Sequence, residues 1–404
     1  MAVVCAGIDW ASEAHAVCVL TEDGELLHEG TTSHDEVGLR ELCEPLCTLQ
    51  VDRVAIERLD GVLVERLLAS SLCVYALHPN QVKAARARFR VSGGKSDRFD
   101  AFVLAELVRT DHHRFRPLAS DGDETRALRA LTRTREDLVA TRVGLANQLR
   151  AELEGSWPGA ARIFADVDSP IALAFLERYP SPTDARGPGE RRLAAFLSGH
   201  GYCGRRSAAD LLARLKAAPA AVLGELEAKA RRGIVLALVA TLKVLVERIR
   251  LLTSEIAGAV RAHPDGALFL SLFRDRKSTV TAARLVAEIG DRRGRYPSAE
   301  TLAADAGMCP VATESGKRKV ASFRWACDKR LRDAVVTLCD STRHWHPWAR
   351  GVYERARARG CDHAHAIRVL GRARLRVLWR MWQDRVPYDP ARHGAMRTLA
   401  CAGG

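Results

Sequence analysis

The 404-residue sequence has no stretch approaching the roughly 20 consecutive apolar residues that a membrane span needs. Its opening, MAVVCAGIDWASEAHAV, lacks a basic segment and meets Asp9 after a short apolar run, so it is not read as a signal peptide. The 11 cysteines, spread from Cys5 to Cys401, contain no C-x-x-C pair. An odd, scattered set of this kind reads as reduced thiols in a cytoplasmic protein. No low-complexity segment and no internal repeat is present. Acidic residues are in deficit: 49 Asp+Glu against 62 Lys+Arg leave a formal charge of +13. That imbalance fits a polyanionic partner, nucleic acid above all, and it is carried largely by arginine, whose planar fork matches phosphate and guanine edges.

What is present describes a folded chain, with 47% hydrophobic and 27% charged residues. Its length exceeds one compact core, and the patterning suggests three segments. Residues 1–118 alternate strand and helix signals. "VVCAGID" is a short apolar strand, and "AVCVLTEDGELLHEG" is two strands around a Glu-Asp-Gly turn. A helix at 36–48, the strand "DRVAIE", a helix at 61–71 and the strand "CVYALHP" follow. This order predicts an α/β domain with helices on a mixed sheet.

Residues 119–262 lose the strand signal. Leu128, Leu131, Leu138, Leu145 and Leu149 form an apolar seam with gaps at Arg135 and Arg142. Ile234, Leu238, Leu242, Leu245, Ile249, Leu252 and Ile256 form a cleaner one. Together they predict a helical coiled-coil arm around an inserted segment. Residues 263–404 read as mostly helical, with a loop at 308–321. From Arg343 to Arg380 there are ten arginines against two acids, Glu354 and Asp362.

Two places carry chemistry. Asp9 and Glu57 each end an apolar strand, and neighbouring strands would bring them together. In "GGKSDRFDAFVLAEL", Asp97 and Asp100 lie three apart on a face continued by Ala101, Leu104, Leu107 and Val108. Four such carboxylates suit two magnesium ions and phosphoryl transfer. A helix cap at Asp97 with salt bridges to Arg98 or Lys95 accounts for the same pattern, and spacing does not choose between them. Lys83, Arg86, Arg88, Arg90 and Lys95 lead into these acids and form a candidate nucleic-acid track. The second place is "GMCPVATESGKRKVASFRWACDKRLRDAVV", where Ser315 and Gly316 precede Lys317, Arg318 and Lys319, with Arg324 close behind. A serine in cationic surroundings can attack phosphate, and a solvated polar turn would look the same. Cys339, His344, His346, Cys361, His363 and His365 have spacings that match no closed zinc site.

"GIDW", "AIE", and "KSDRFDAFVLAEL" after "NQVKAARARF" resemble the DEDD insertion-sequence transposases of the one-ten family, relatives of the Piv DNA invertases that include bridge-RNA-guided recombinases. The resemblance runs over the whole chain. It implies a RuvC-like domain of RNase H fold in which Asp9, Glu57, Asp97 and Asp100 bind magnesium. It also implies a C-terminal transposase domain whose serine, here Ser315 with Ser322 as the alternative register, becomes linked to DNA as phosphoserine. A homo-oligomer (dimer or tetramer), donor and target DNA, and a structured non-coding guide RNA are implied in the same way. Where many relatives carry a Gly-rich turn before "TAARLVAEIGD", this chain has "SLFRDRKSTVTAARL", leaving Arg274, Arg276 and Lys277 to hold phosphate by side chains. Two rival functions remain: a structure-selective nuclease that needs the acids but not Ser315, and an inactive nucleic-acid-binding protein whose acids are structural.

Overall fold

The computed structural model describes residues 3–89, 96–187, 189–219, 221–274, 278–315 and 318–391. The chain divides into two compact units, Met1–Asp121 and Gly122–Gly404. Among the described residues no helix is long and apolar enough to cross a membrane.

The first unit is a mixed α/β domain. Strands β1 (Cys5–Asp9), β2 (Ala14–Leu20) and β3 (Leu26–Ser33) form an antiparallel meander. The turn between β2 and β3 is closed by the Thr21 amide on the Glu25 carbonyl, with Gly24 at φ +89°. After α1 (Glu36–Thr48), β4 (Arg53–Ile56) pairs parallel to β1. After α2 (Val62–Ala69), β5 (Val74–Ala76) pairs parallel to β4, giving the order β3-β2-β1-β4-β5. Helices α3 (Pro79–Phe89) and α4 (Asp97–Asp111) complete the unit.

Alternation along the strands separates two cores. Ala6, Ile8, Val17, Val19, Val54 and Ile56 pack with Leu39, Leu42, Leu63 and Leu67 of α1 and α2. The opposite face, through Cys5, Ala16, Cys18, Leu20 and Ala55, lies under α4. That second face carries the acids.

The second unit is mostly helical. Its long helices α5 (Asp123–Ser156) and α10 (Glu225–Ala262) run antiparallel. The Arg135 guanidinium reaches Thr253 Oγ1 at 2.8 Å, and Arg231 at the other end reaches Glu152 at 2.8 Å. Between them α6 (Pro158–Arg162), α7 (Pro170–Arg178), α8 (Glu190–Gly199) and α9 (Ala208–Ala217) bury Trp157, Phe164, Phe175 and Phe196 against one end of the pair. Beyond it, α11 (Gly266–Leu270), α12 (Thr279–Ile289), α13 (Ala299–Asp305), α14 (Lys329–Trp345), α15 (Pro347–Ala358) and α16 (His363–Asp384) surround Phe269, Leu285, Leu338 and Trp382.

Two sequence expectations change here. The second seam was placed on Ile234 and Leu238, yet Ile234 is exposed and Val235 and Val239 are buried. From Leu242 onward, Leu242, Ile249 and Ile256 point inward as the heptad requires. The first half of α10 packs on the inserted helices as well as on α5, so its apolar stripe follows a globular rather than a two-helix spacing. The gap arginines of the first seam take polar partners: Arg135 meets Thr253, and Arg142 donates to Asp168 at 2.7 Å. The segment 308–321, expected as a loop, contains the hairpin β6 (Val311–Ser315) and β7 (Arg318–Ser322). Val311, Thr313 and Val320 are β-branched residues that favour this extended pairing.

Candidate functional site

The acidic site grows from the end of the parallel pair. Ile8 and Ile56 are opposite each other in the β1–β4 register, so Asp9 and Glu57 follow them at the same level. Adjacent strands lie about 4.8 Å apart, and alternation turns both acids toward the α4 face. Gly7 sets how closely α4 can approach. A Cβ at this position would stand 2.1 Å from the Ala101 carbonyl oxygen and 2.3 Å from the Ala105 amide nitrogen. Only glycine lets the α4 backbone rest on β1, and that contact puts Asp100, next to Ala101, at the buried start of the helix.

Asp100 is 1% exposed. Its cation is Arg86 of α3, which donates from Nε to Oδ1 at 2.5 Å and from Nη2 to Oδ2 at 2.7 Å. The same Nη2 lies 3.9 Å from Glu57 Oε1, so one guanidinium joins α3, α4 and the end of β4. The partners foreseen from sequence differ: Arg98 pairs with Glu29, and Lys95 lies outside the described residues.

Asp97 behaves differently from the inward pair foreseen for it. It is exposed, and the N-cap is Ser96, whose hydroxyl accepts from the Phe99 amide at 3.2 Å. Three residues advance a helix by about 300°, which leaves the two aspartates about 60° apart around the axis. At the helix start that offset separates a buried side chain from a solvated one. Lys83 and Arg88 on α3 are exposed, Arg88 lying 3.9 Å from Asp111, whereas Arg86 is turned onto the acids. Arg90 lies outside the described residues.

A histidine pair missed in the sequence borders this strand end. His15 is fully buried, and its Nε2 is 2.8 Å from His34 Nδ1. Burial, followed by the charge of His34, lowers the His15 pKa to about 4, which keeps the ring neutral. His34 meets Trp10 edge-on at 6.3 Å, and Arg58 stacks 4.0 Å over Trp10. The available signal was Trp10, an aromatic directly after the strand-end Asp9.

In the second unit, Ser315 is the last residue of β6 and pairs with Arg318, the first of β7. It is exposed. Gly316 and Lys317 lie outside the described residues, as do the side chains of Arg318 and Lys319. Ser322 sits at the opposite end of the hairpin and donates to the Val311 carbonyl at 3.4 Å. Arg324 fastens that end through the Cys309 carbonyl at 3.3 Å. Asp328 caps α14 through the amides of Arg330 and Leu331, at 2.9 and 3.0 Å. Burial raises its pKa above the usual carboxylate value. Arg274 is exposed after α11, while Arg276 and Lys277 lie outside the described residues. Of the zinc candidates, His346 bonds Tyr388 at 2.9 Å and His363 bonds Tyr353 at 2.9 Å. Among the described residues no three His, Cys, Asp or Glu side chains are grouped to hold a metal ion.

Comparison with known proteins places these sites in family context. A DEDD transposase model matches residues 6–158, and a model described as the transposase IS116/IS110/IS902 family matches 277–354. The chain is 32% identical, over 100% of its own length and 99% of the relative's, to the mini-circle protein assigned as the IS117 transposase of Streptomyces coelicolor. The chain belongs to the IS110 transposase family. It is also 30% identical to the insertion element IS116 44.8 kDa protein of Streptomyces clavuligerus, over 95% of this chain and 96% of that one. An IS900 42 kDa protein of Mycobacterium paratuberculosis matches at 28%, covering 96% and 98% of the two chains. Asp9, Glu57, Asp97 and Asp100 fall in the first IS110-family block and Ser315 in the second, whereas 159–276 lies in neither.

Proposed function

We propose that this transposase cuts and rejoins donor and target DNA through Ser315, the observation carrying this reading being an exposed serine at the closing pair of a basic hairpin inside a family block. Ser315 Oγ attacks the scissile phosphorus. A P–O bond to serine forms, the bond to one deoxyribose oxygen breaks, and that oxygen takes up a proton while the serine proton passes to water. Attack by the hydroxyl of an incoming strand reverses the step and restores serine. The phosphoserine conserves the energy of the phosphodiester, so rejoining needs no nucleotide cofactor.

Asp9, Glu57 and Asp100 offer the oxygen donors that magnesium takes, although as they stand they are not grouped to hold an ion, and the burial of Asp100 already demands a cation. As placed, Arg86 supplies that charge and takes both Asp100 oxygens, so these three residues would hold an ion once Arg86 withdraws. Asp97, exposed at the first turn of α4, is the fourth proposed ligand. When bound, magnesium supplies Lewis-acid stabilisation of phosphoryl oxygens. The strand order, with acids at the end of its central parallel pair, supports a RuvC-like domain of RNase H fold over 1–118.

The remaining proposals concern assembly. The α5–α10 pair would form the arm of 119–262, and exposed Val143, Val244 and Leu251 offer it an oligomer face. Residues 263–404 would form the serine-bearing domain. The charge of +13 is compatible with a structured guide RNA and with work at the nucleoid.

The test is a denaturing-gel assay with end-labelled DNA and magnesium. A covalent protein–DNA adduct is expected in the wild type and in Ser322→Ala, and none in Ser315→Ala. Normal strand cleavage by Ser315→Ala would replace this reading with the metal-dependent nuclease. Sequencing of co-purified nucleic acid tests the guide RNA.

A further inference from the structure

Trp325 is 77% exposed, although an indole of this size is among the side chains a folded protein most gains by covering. The ring is not loose. It meets Phe323 edge-on with centroids 4.8 Å apart and planes at 79°. Phe323 is itself held by two guanidinium groups, Arg332 at 4.6 Å and Arg368 at 5.0 Å from its centroid. Arg332 is fixed in turn by the Arg324 carbonyl at 2.6 Å. Three side chains and a backbone oxygen therefore brace one indole that faces solvent.

Charge selects the occupant. Residues 314–333 carry seven cations (Lys317, Arg318, Lys319, Arg324, Lys329, Arg330 and Arg332) against three acids (Glu314, Asp328 and Asp333), Arg330 being paired with Glu136 and Asp137. A second copy of this chain would bring its own net charge of +13 against them. A nucleic-acid strand brings phosphates for the cations and flat bases for the ring. A base inside a duplex has both faces covered by its neighbours, so only an unpaired base can lie on the indole.

We propose that Trp325, braced by Phe323 and its two arginines, is a stacking platform for an unpaired base of the DNA strand that Ser315 cleaves. The inference rests on the proposed role of Ser315 and adds a position to it. Ser315 closes the hairpin at one end, and Trp325 follows three residues after Ser322 at the other. Five paired residues at about 3.4 Å each separate the ends by about 14 Å. An unpaired strand of a few nucleotides is long enough to span that distance. The hairpin would then lie along unpaired DNA, with the nucleophile at the scissile phosphate and the ring holding a base some steps away.

The test is equilibrium binding in the Ser315→Ala background, read by fluorescence anisotropy of labelled oligothymidylate at fixed salt. Adding Trp325→Ala should weaken binding roughly 5- to 150-fold, the range that loss of one base–aromatic stack gives. Trp325→Phe keeps a ring and should stay within about threefold. Binding of a blunt mixed-sequence duplex should change less than about twofold, and the salt dependence should be unaltered because no phosphate contact is lost. The proposal is overturned if Trp325→Ala binds oligothymidylate as its parent does, or if the duplex weakens equally. It is also overturned if the ring matters for oligouridylate and not for oligothymidylate, or if Trp325→Ala changes the particle mass in light scattering, which would make the ring a protein contact. Adduct formation reports on Ser315 and binding without cleavage reports on Trp325, so either idea can fail alone.

Discussion

Replacing Arg86 with alanine tests the acidic site at its most committed contact. Asp100 is 1% exposed and both its oxygens are held by the Arg86 guanidinium, at 2.5 and 2.7 Å. Removing one partner of a buried ion pair costs about 3–5 kcal/mol, because the surviving charge is left without its counter-ion. The Arg86 side chain is 26% exposed, so water can enter its vacated place and the low end applies, about 3 kcal/mol. Hydrogen–deuterium exchange at the amides of Cys5–Asp9 and Arg53–Ile56 reads this unit alone, and exchange through global opening should accelerate by roughly 150-fold. The double variant Arg86→Ala/Asp100→Asn should recover much of the loss, since no naked charge remains. Magnesium chloride should slow exchange in Arg86→Ala more than sodium chloride of equal ionic strength, because the freed carboxylates can then take the ion. A loss below about 1 kcal/mol would show that the pair behaves like a solvated surface bridge, and the reasoning from burial would fail. Equal effects of the two salts would remove the metal assignment and leave the pair purely structural.

Three further outcomes follow from single contacts. Gly7→Ala should destabilise the first unit by about 3 kcal/mol or more in urea unfolding, because the added methyl meets the backbone of α4 rather than a side chain that can turn away. His15 has a pKa of about 4 in the fold against 6.5 when unperturbed, so the unfolded chain takes up the proton first as pH falls. The stability this gives is complete above about pH 6.5 and is lost toward pH 4, by about 3 kcal/mol in all, and His15→Phe should flatten that part of a pH series of urea midpoints. Ser315→Ala should leave thermal stability within about 0.5 kcal/mol of wild type by calorimetry, as expected for an exposed side chain, so that any loss of the DNA adduct is a chemical effect.

The strand-end acids were legible because "GID" and "AIE" each put a carboxylate after an apolar run, and a parallel register aligns such ends without reference to distant residues. Asp100 was legible as an inward residue from the Leu104 and Val108 stripe, but its partner was not, since Arg86 reaches it only through the packing of α3 on α4. Asp97 shows where spacing fails: a three-residue step implies a shared face within a helix, and at the first turn there is no preceding turn to cover the outer residue. Gly7 was quoted in the motif and passed over, because its need for the missing Cβ arises only when a helix segment ninety residues later rests on it. The same dependence on distant chain moved the seam of α10. A heptad describes a helix with one long partner, and the first half of α10 faces inserted helices too, so Val235 and Val239 replace Ile234 and Leu238 at the buried positions. Local pattern thus located the groups whose direction the backbone period sets, and it failed where the deciding neighbour was remote. Arg86 is the consequential case, because the in-chain partners sought for the aspartates were their neighbours Arg98 and Lys95, and the one that Asp100 meets comes from the preceding helix.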